Sequence, residues 1–315
     1  MLTENFTAPG WCNNSHCQTI WPLLARKNLT IPWQRQRLEL PDGDFLDLDW
    51  RGQQAGTNPV VLVLHGLEGS SHSHYARAMG YALPQHNFRV VVLNFRGCSG
   101  SHNRLTRSYH SGETEDIAYV INDIKKSNPG VPLFVVGFSL GGNVLLKWLG
   151  EQKAAAPITA AVAISVPFDL GVAADRMTEG LSRIYQRYFL SSLIPKIVAK
   201  NKLIELPVDI QKVRGAKTLR EYDNYLTAPL HGFTDAQDYY TRSSCKQFLG
   251  DISIPTRIIH SRDDPFMTTS IIPKQDQISD QVSLNIQHHG GHVGFLGKQG
   301  YWLDKVVPLF FSRFV

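Results

Sequence analysis

Short runs of β-branched and aliphatic residues recur along the chain at Val60–His65, Phe88–Phe95, Leu133–Gly137, Ile158–Ser165, Thr256–Ser261 and Val282–His288. Runs with no polar alternation suit strands covered on both faces, and strands of that kind lie mostly in parallel sheets. Parallel neighbours need a crossover, and helical patterns at His74–Gln85, Glu113–Lys126 and Gly142–Gln152 supply it. The constraint is therefore an α/β fold with a mostly parallel central sheet. Residues 35–51 precede it as two alternating runs around Pro41-Asp42-Gly43-Asp44, which predicts an N-terminal antiparallel hairpin. The alternation stops between about residues 167 and 245, where the pattern is helical and Pro195 interrupts it. An insertion placed between two sheet strands is read as a helical cap over the active face, within a single domain spanning 1–315.

With 43% hydrophobic residues in 315, the chain can bury one large core, and the composition excludes a disordered or collagen-like polypeptide. The net charge of +5 is only mildly basic and argues for no nucleic-acid partner. Cys12, Cys17, Cys98 and Cys245 are too few for a disulfide framework. Cys12, His16 and Cys17 lie close together, but no CxxC or second Cys/His pair accompanies them, so no metal site is expected. The four are read as reduced thiols in a cytoplasmic protein. No signal peptide is visible at the N-terminus, and no apolar stretch is long enough to span a membrane.

The most informative local pattern is Gly137-Phe138-Ser139-Leu140-Gly141. A strand leads in and a helix leads out, so the glycines flank a sharp elbow that holds the Ser139 hydroxyl clear of the sheet. A nearby helix N-terminus favours developing negative charge. A serine hydroxyl needs a base to take its proton. At elbows of this type the chain order is serine, acid, histidine. His288, His289 and His292 compete for the role of base. Glycines at 290, 291 and 294 favour a loop that brings His292 over Ser139, while His288 and His289 sit at the strand end. The acid is expected after strand Thr256–Ser261, where Asp264 is favoured. Asp263 would brace the turn, and Asp169 is the outside alternative. The oxyanion hole is assigned to the backbone N–H groups of Leu67 and Leu140. His65, in the oxyanion loop, is given a structural hydrogen-bonding role. Cys98 is left outside the chemistry, and no cofactor is expected.

These residues and several further segments resemble the YheT-like branch of the α/β-hydrolase superfamily, which includes ABHD and EMB-type proteins. The resemblance runs over Asn14-Ser15-His16-Cys17-Gln18-Thr19-Ile20, Pro41-Asp42-Gly43-Asp44, His65-Gly66-Leu67-Glu68-Gly69-Ser70 and Asn94-Phe95-Arg96-Gly97-Cys98. It continues through Tyr109-His110-Ser111-Gly112, the elbow, Asp263-Asp264-Pro265-Phe266 and Gly291-His292-Val293-Gly294-Phe295. It implies an α/β-hydrolase fold, a Ser139–Asp264–His292 triad and hydrolysis of carboxylic esters without a cofactor. Short-chain esters, acylglycerols and phospholipids are the substrates it implies. Ser15 stands where relatives often have Pro, in a segment taken to be remote from the triad. Several eukaryotic relatives carry an N-terminal membrane anchor, which is not expected here.

Two readings follow: a serine esterase or lipase acting on a small ester or lipid, or a non-catalytic hydrolase-fold binding protein. A thioesterase shares the same machinery. Between Ser182 and Arg220, nine basic residues face only Glu205 and Asp209. Interleaved apolar residues make peripheral contact with an anionic membrane one expectation, with Lys196, Lys200 and Lys202 as surface charges. The plainer expectation is an apolar face packed on the core with solvated lysines.

Overall fold

A computed structural model describes residues 6–315. Its centre is an eight-stranded sheet: β1 (Gln34–Glu39), β2 (Phe45–Arg51), β3 (Val60–Leu64), β4 (Arg89–Asn94), β5 (Leu133–Phe138), β6 (Ala160–Ile164), β7 (Thr256–Ser261) and β8 (Val282–Gln287). The spatial order is β1-β2-β4-β3-β5-β6-β7-β8. The hairpin pairs antiparallel with itself and with β4, and every pairing from β4 through β3 to β8 is parallel. Its turn closes where Gly43, at φ 85°, donates its N–H to the Leu40 carbonyl at 3.0 Å.

The continuous apolar runs are explained by helices on both faces. Leu62 and Leu64 of β3 pack into one cluster with α3 (Glu115–Ser127) and α4 (Leu140–Gln152). Val61 and Val63, pointing the other way, join α2 (His74–Ala82) and the C-terminal helix Leu303–Phe311. Successive side chains of a strand face opposite layers, so both sets must be apolar.

Ahead of the sheet, α1 (Ser15–Ala25) is capped by Asn14, whose side chain accepts the N–H groups of His16 and Cys17. Cys12 and Cys17 form a disulfide, while Cys98 and Cys245 are free. The expectation of four reduced thiols is corrected for this pair. The turn into α1 brings their Cα atoms to 5.5 Å, a separation that ordinary disulfides span.

Between β6 and β7 the chain runs through α5 (Leu170–Arg176), α6 (Ser182–Leu203) and shorter helices up to Ala236–Ser243. Pro195 does not interrupt α6, which runs 22 residues through it. The N–H that proline lacks would have met the Ser191 carbonyl, and both residues lie on the exposed side of the helix. The inward ridge of α6, Leu190, Leu193 and Ile197, is buried against Val213 and Leu226. Two lysines depart from the surface role expected of them. Lys200 is only 3% exposed, and its ammonium donates to Asn103 Oδ1 and to the carbonyls of Thr106 and Arg107. Lys196 pairs with Glu68 of the loop after β3. Only Lys202 of the three is exposed. The charge pattern along α6 could not distinguish them, because their partners come from distant loops.

Among the described residues, no helix is long and apolar enough to cross a membrane.

Candidate active site

Strand β5 ends in the elbow. Ser139 adopts φ 51° and ψ −119°, a backbone region that costs energy for a residue with a side chain. The surrounding packing holds it there. A Cβ on Gly137 would lie 2.5 Å from the Gly141 carbonyl oxygen, and one on Gly141 would lie 2.5 Å from that of His65. The elbow therefore needs glycine at both places for closeness of backbones. The Ser139 N–H is held by the Ile164 carbonyl at 2.8 Å, and Ser139 in turn accepts the Asn143 N–H at 3.1 Å. Buried Asn143 then ties three segments together. Its amide donates to Ser111 and Ser243 carbonyls, each at 2.8 Å, and accepts the Cys245 N–H at 2.9 Å.

The loops after β7 and β8 bring two distant residues to the serine. His292 Nε2 lies 2.9 Å from Ser139 Oγ, and His292 Nδ1 lies 2.8 Å from Asp264 Oδ2. Asp264 is 4% exposed and His292 5% exposed. The other Asp264 oxygen accepts the Phe266 N–H at 2.9 Å, and the Phe266 ring stacks on the imidazole with centroids 4.0 Å apart. This geometry places a proton acceptor on the hydroxyl and a carboxylate behind it, the arrangement that activates a serine.

The competing candidates have other partners. Asp263 Oδ1 accepts the Gly291 N–H at 3.0 Å, and its second oxygen lies 3.3 Å from His289 Nδ1. Asp169 caps α5 by accepting the Val172 N–H. His288 and His289 are exposed. His65 is wholly buried; it accepts the Phe95 N–H at 3.1 Å, and burial pushes its pKa down to about 4, so it stays neutral. Burial likewise pushes the Cys98 thiol up to about 11, which keeps it from being a thiolate near neutral pH.

Leu67 and Leu140 both line the cleft beside Ser139. In the loop after β3, the N–H groups of Gly66, Glu68 and Gly69 are engaged by Tyr75, Tyr109 and the Gly66 carbonyl. That of Leu67 has no acceptor among the described residues. Leu140 opens α4, where a helix leaves its first N–H groups without intrahelical partners. Leu67 and Leu140 thus each carry an N–H with no acceptor among the described residues, in the cleft that Ser139 also lines. Glu68, at φ 53°, fixes the loop: its carboxylate meets the Tyr109 hydroxyl, Ser192 and Lys196, linking it to α6.

The cleft has a cavity volume of about 160 Å3 and opens to solvent at its mouth. Its walls are largely apolar, including Leu170, Met177, Leu193, Ile197 and Leu226. Asp223 is a polar exception. Its carboxylate accepts the Thr227 and Tyr240 hydroxyls at 2.6 and 2.7 Å, and burial raises its pKa to about 6. Among the described residues, no group of three or more His, Cys, Asp or Glu is placed to hold a metal ion.

Sequence reasoning missed the part played by α1. The segment thought remote from the triad packs directly on the histidine loop. Thr19 Oγ1 accepts the His292 N–H at 2.9 Å, and the Gln18 side chain brackets Leu296, accepting its N–H at 2.7 Å and donating to its carbonyl at 3.0 Å. A Cβ on Gly291 would come within 2.5 Å of the Ser15 carbonyl oxygen. The motif Asn14–Ile20 was the available signal, but nothing local tied it to a loop so far along the chain.

A sheet of this order, with a serine elbow after its central strand and the histidine loop after its last, is the architecture of the α/β hydrolases. The chain belongs to the alpha/beta hydrolase fold family, whose profile matches residues 59–299. It is 42% identical over 306 residues to the Escherichia coli (strain K12) protein named "Putative esterase YheT", covering 94% of this chain and 89% of that one. It is 29% identical to the Bos taurus protein named "Phospholipase ABHD3", across 100% of this chain and 80% of the relative. The Pyrococcus furiosus esterase Pf2001 shares the fold, with a TM-score of 0.61 at 18% identity over 91% of this chain and 92% of its own.

Proposed function

We propose that the protein is a serine hydrolase that cleaves carboxylic esters through an acyl-enzyme on Ser139. The observation that carries the reading is the unbroken line from Ser139 Oγ through His292 to Asp264 at the floor of an apolar cleft. Ser139 Oγ attacks the ester carbonyl carbon as His292 Nε2 takes its proton. The carbonyl oxygen becomes an oxyanion, received by the N–H groups of Leu67 and Leu140. Asp264 holds the imidazole in the tautomer this requires and stabilises the imidazolium. His292 then returns the proton to the leaving alcohol. Water enters, gives a proton to His292 and attacks the acyl carbon; as the intermediate collapses and the acid leaves, His292 returns that proton to Ser139 Oγ.

The apolar walls favour an acyl chain, and the relatives named esterase and phospholipase favour the same chemistry. Short-chain esters, acylglycerols and phospholipids are the substrates to test first. Residues 167–245 act as a cap that forms the wall facing the serine. A panel of p-nitrophenyl esters, acylglycerols, phospholipids and acyl-thioesters, assayed against wild type and Ser139→Ala, tests the proposal. Ester turnover abolished by Ser139→Ala is expected. No turnover of any ester by the wild type, or turnover unchanged in the variant, contradicts it.

A further inference from the structure

The α1 helix presents a face that the described residues leave exposed. Ile20 and Trp21 are 42% and 43% exposed, and Leu23 and Leu24 are 48% and 56% exposed. Trp11, 63% exposed, stands edge-on to Trp21 with ring centroids 5.0 Å apart. The disulfide between Cys12 and Cys17 fastens the turn that carries Trp11 to the helix. Scattered exposed apolar residues need no explanation, but a contiguous set does.

A second ridge lies beside the first. At the start of α6, Leu181, Ile184 and Tyr188 are 60%, 59% and 65% exposed. His16 Nδ1 of α1 lies 2.9 Å from the Tyr185 hydroxyl of α6, and the two rings stack. On α1, Ile20 and Leu24 follow His16 at helical spacings of four, and on α6, Leu181 and Tyr188 flank Tyr185 by four and three. The one contact therefore joins both ridges into one surface. That surface borders the candidate active site. The Tyr185 ring lies 4.8 Å from that of Phe266, which stacks on His292.

Charge distinguishes the possible occupants. Helix α1 carries no Asp, Glu, Lys or Arg, and α6 carries five basic residues and no acid. Arg183 and Arg187 flank the exposed ridge of α6, are themselves exposed, and make no ion pair among the described residues. A second copy docking face to face would oppose like charges with no acid on either helix to offset them. An apolar face with exposed aromatics, bordered by unpaired arginines, instead matches the boundary between anionic headgroups and acyl chains.

We propose that this surface, formed by Trp11, α1 and the first turns of α6, docks the protein onto an anionic lipid surface and so sets the mouth of the cleft against its source of substrate. The purpose rests on the ester-hydrolase reading, but the docking itself does not require turnover. Full-length Ser139→Ala protein is therefore used, with vesicles of phosphatidylcholine alone or mixed with phosphatidylglycerol. Sedimentation with the mixed vesicles at low salt is expected, weakening as salt shortens the range of attraction to about 8 Å at physiological ionic strength.

Two further double substitutions separate the contributions. Trp21→Ser with Leu24→Ser, and Ile184→Ser with Tyr188→Ser, should each weaken vesicle binding at least tenfold. In the Ser139-intact protein they should leave soluble-ester kcat/KM within about twofold. Tyr81→Ser, an exposed apolar residue on α2, should change neither. Thermal melts confirm that the variants fold. Absence of binding at low salt, or equal weakening by Tyr81→Ser, overturns the proposal. So does a patch substitution that dissociates a dimer in solution while vesicle binding is unchanged, since the surface then belongs to a second copy.

Discussion

The main-chain N–H of His292 donates to the hydroxyl of Thr19, 273 residues earlier in the chain, at 2.9 Å. The same hydroxyl donates to the Ser15 carbonyl one turn back in α1, so the base of the candidate triad is pinned to a helix outside the sheet. Thr19→Val keeps the shape and removes the acceptor. Leaving that buried N–H unmet costs about 1–3 kcal/mol. Expressed in the transition state, the loss lowers kcat about tenfold with little change in KM. Thr19→Ser should restore most of it. Steady-state kinetics on a soluble ester, with the three proteins side by side, check the split.

The two neighbouring aspartates should separate cleanly. Asp264→Asn removes the carboxylate on His292 Nδ1 and should lower kcat by about 10⁴-fold, as loss of the orienting acid does elsewhere. Asp263→Asn touches the Gly291 turn instead and should show mainly a lower melting temperature. Should Asp263→Asn or Asp169→Asn be the variant that loses kcat, the acid is misassigned.

Gly141→Ala tests the elbow. The added methyl would meet the His65 and Leu64 carbonyl oxygens at 2.5 and 2.6 Å, both backbone and unable to rotate away. Overpacking of this kind typically costs about 1–3 kcal/mol. Because Gly141 lies two residues past the serine, activity should fall further than stability. Denaturant melts paired with kinetics measure both.

Much of this was legible in the sequence because it is local or periodic. The runs at Val60 and Leu133 are apolar on every residue because both faces of β3 and β5 are covered by helices. Gly137 is required by a local contact, with the Gly141 backbone four residues on, whereas Gly141 makes room for the Leu64 and His65 carbonyls far back in the chain. In the sequence, the glycines before and after His292 show only freedom for the loop, which is half their reason: Gly291 also makes room for the Ser15 carbonyl. Lys196 and Lys200 looked like surface charge because Glu68 and Asn103 meet them across the fold. The Cys12–Cys17 pairing depends on a turn conformation that five residues of sequence do not specify.

Asp223 makes stability depend on pH. Its pKa is raised in the folded protein to about 6, from 3.8, by burial. Between those values the folded state binds more protons than the unfolded one, so this group's contribution is greatest in acid and is lost as pH rises through about 6. Asp223→Asn should therefore melt higher than wild type at pH 7.5, with the advantage shrinking toward pH 4. A series of thermal melts across that window reads the difference, and a constant gap would mean the carboxyl is not the cause.

The central claim is that Ser139 is an activated nucleophile. Its direct test is covalent labelling with a fluorophosphonate, followed by intact mass and peptide mapping, in wild type, Ser139→Ala and His292→Ala. The prediction is one adduct per wild-type chain, on the peptide containing Ser139, with none in Ser139→Ala and labelling slowed by orders of magnitude in His292→Ala. An unlabelled wild type, or an adduct on any other residue, would contradict the account.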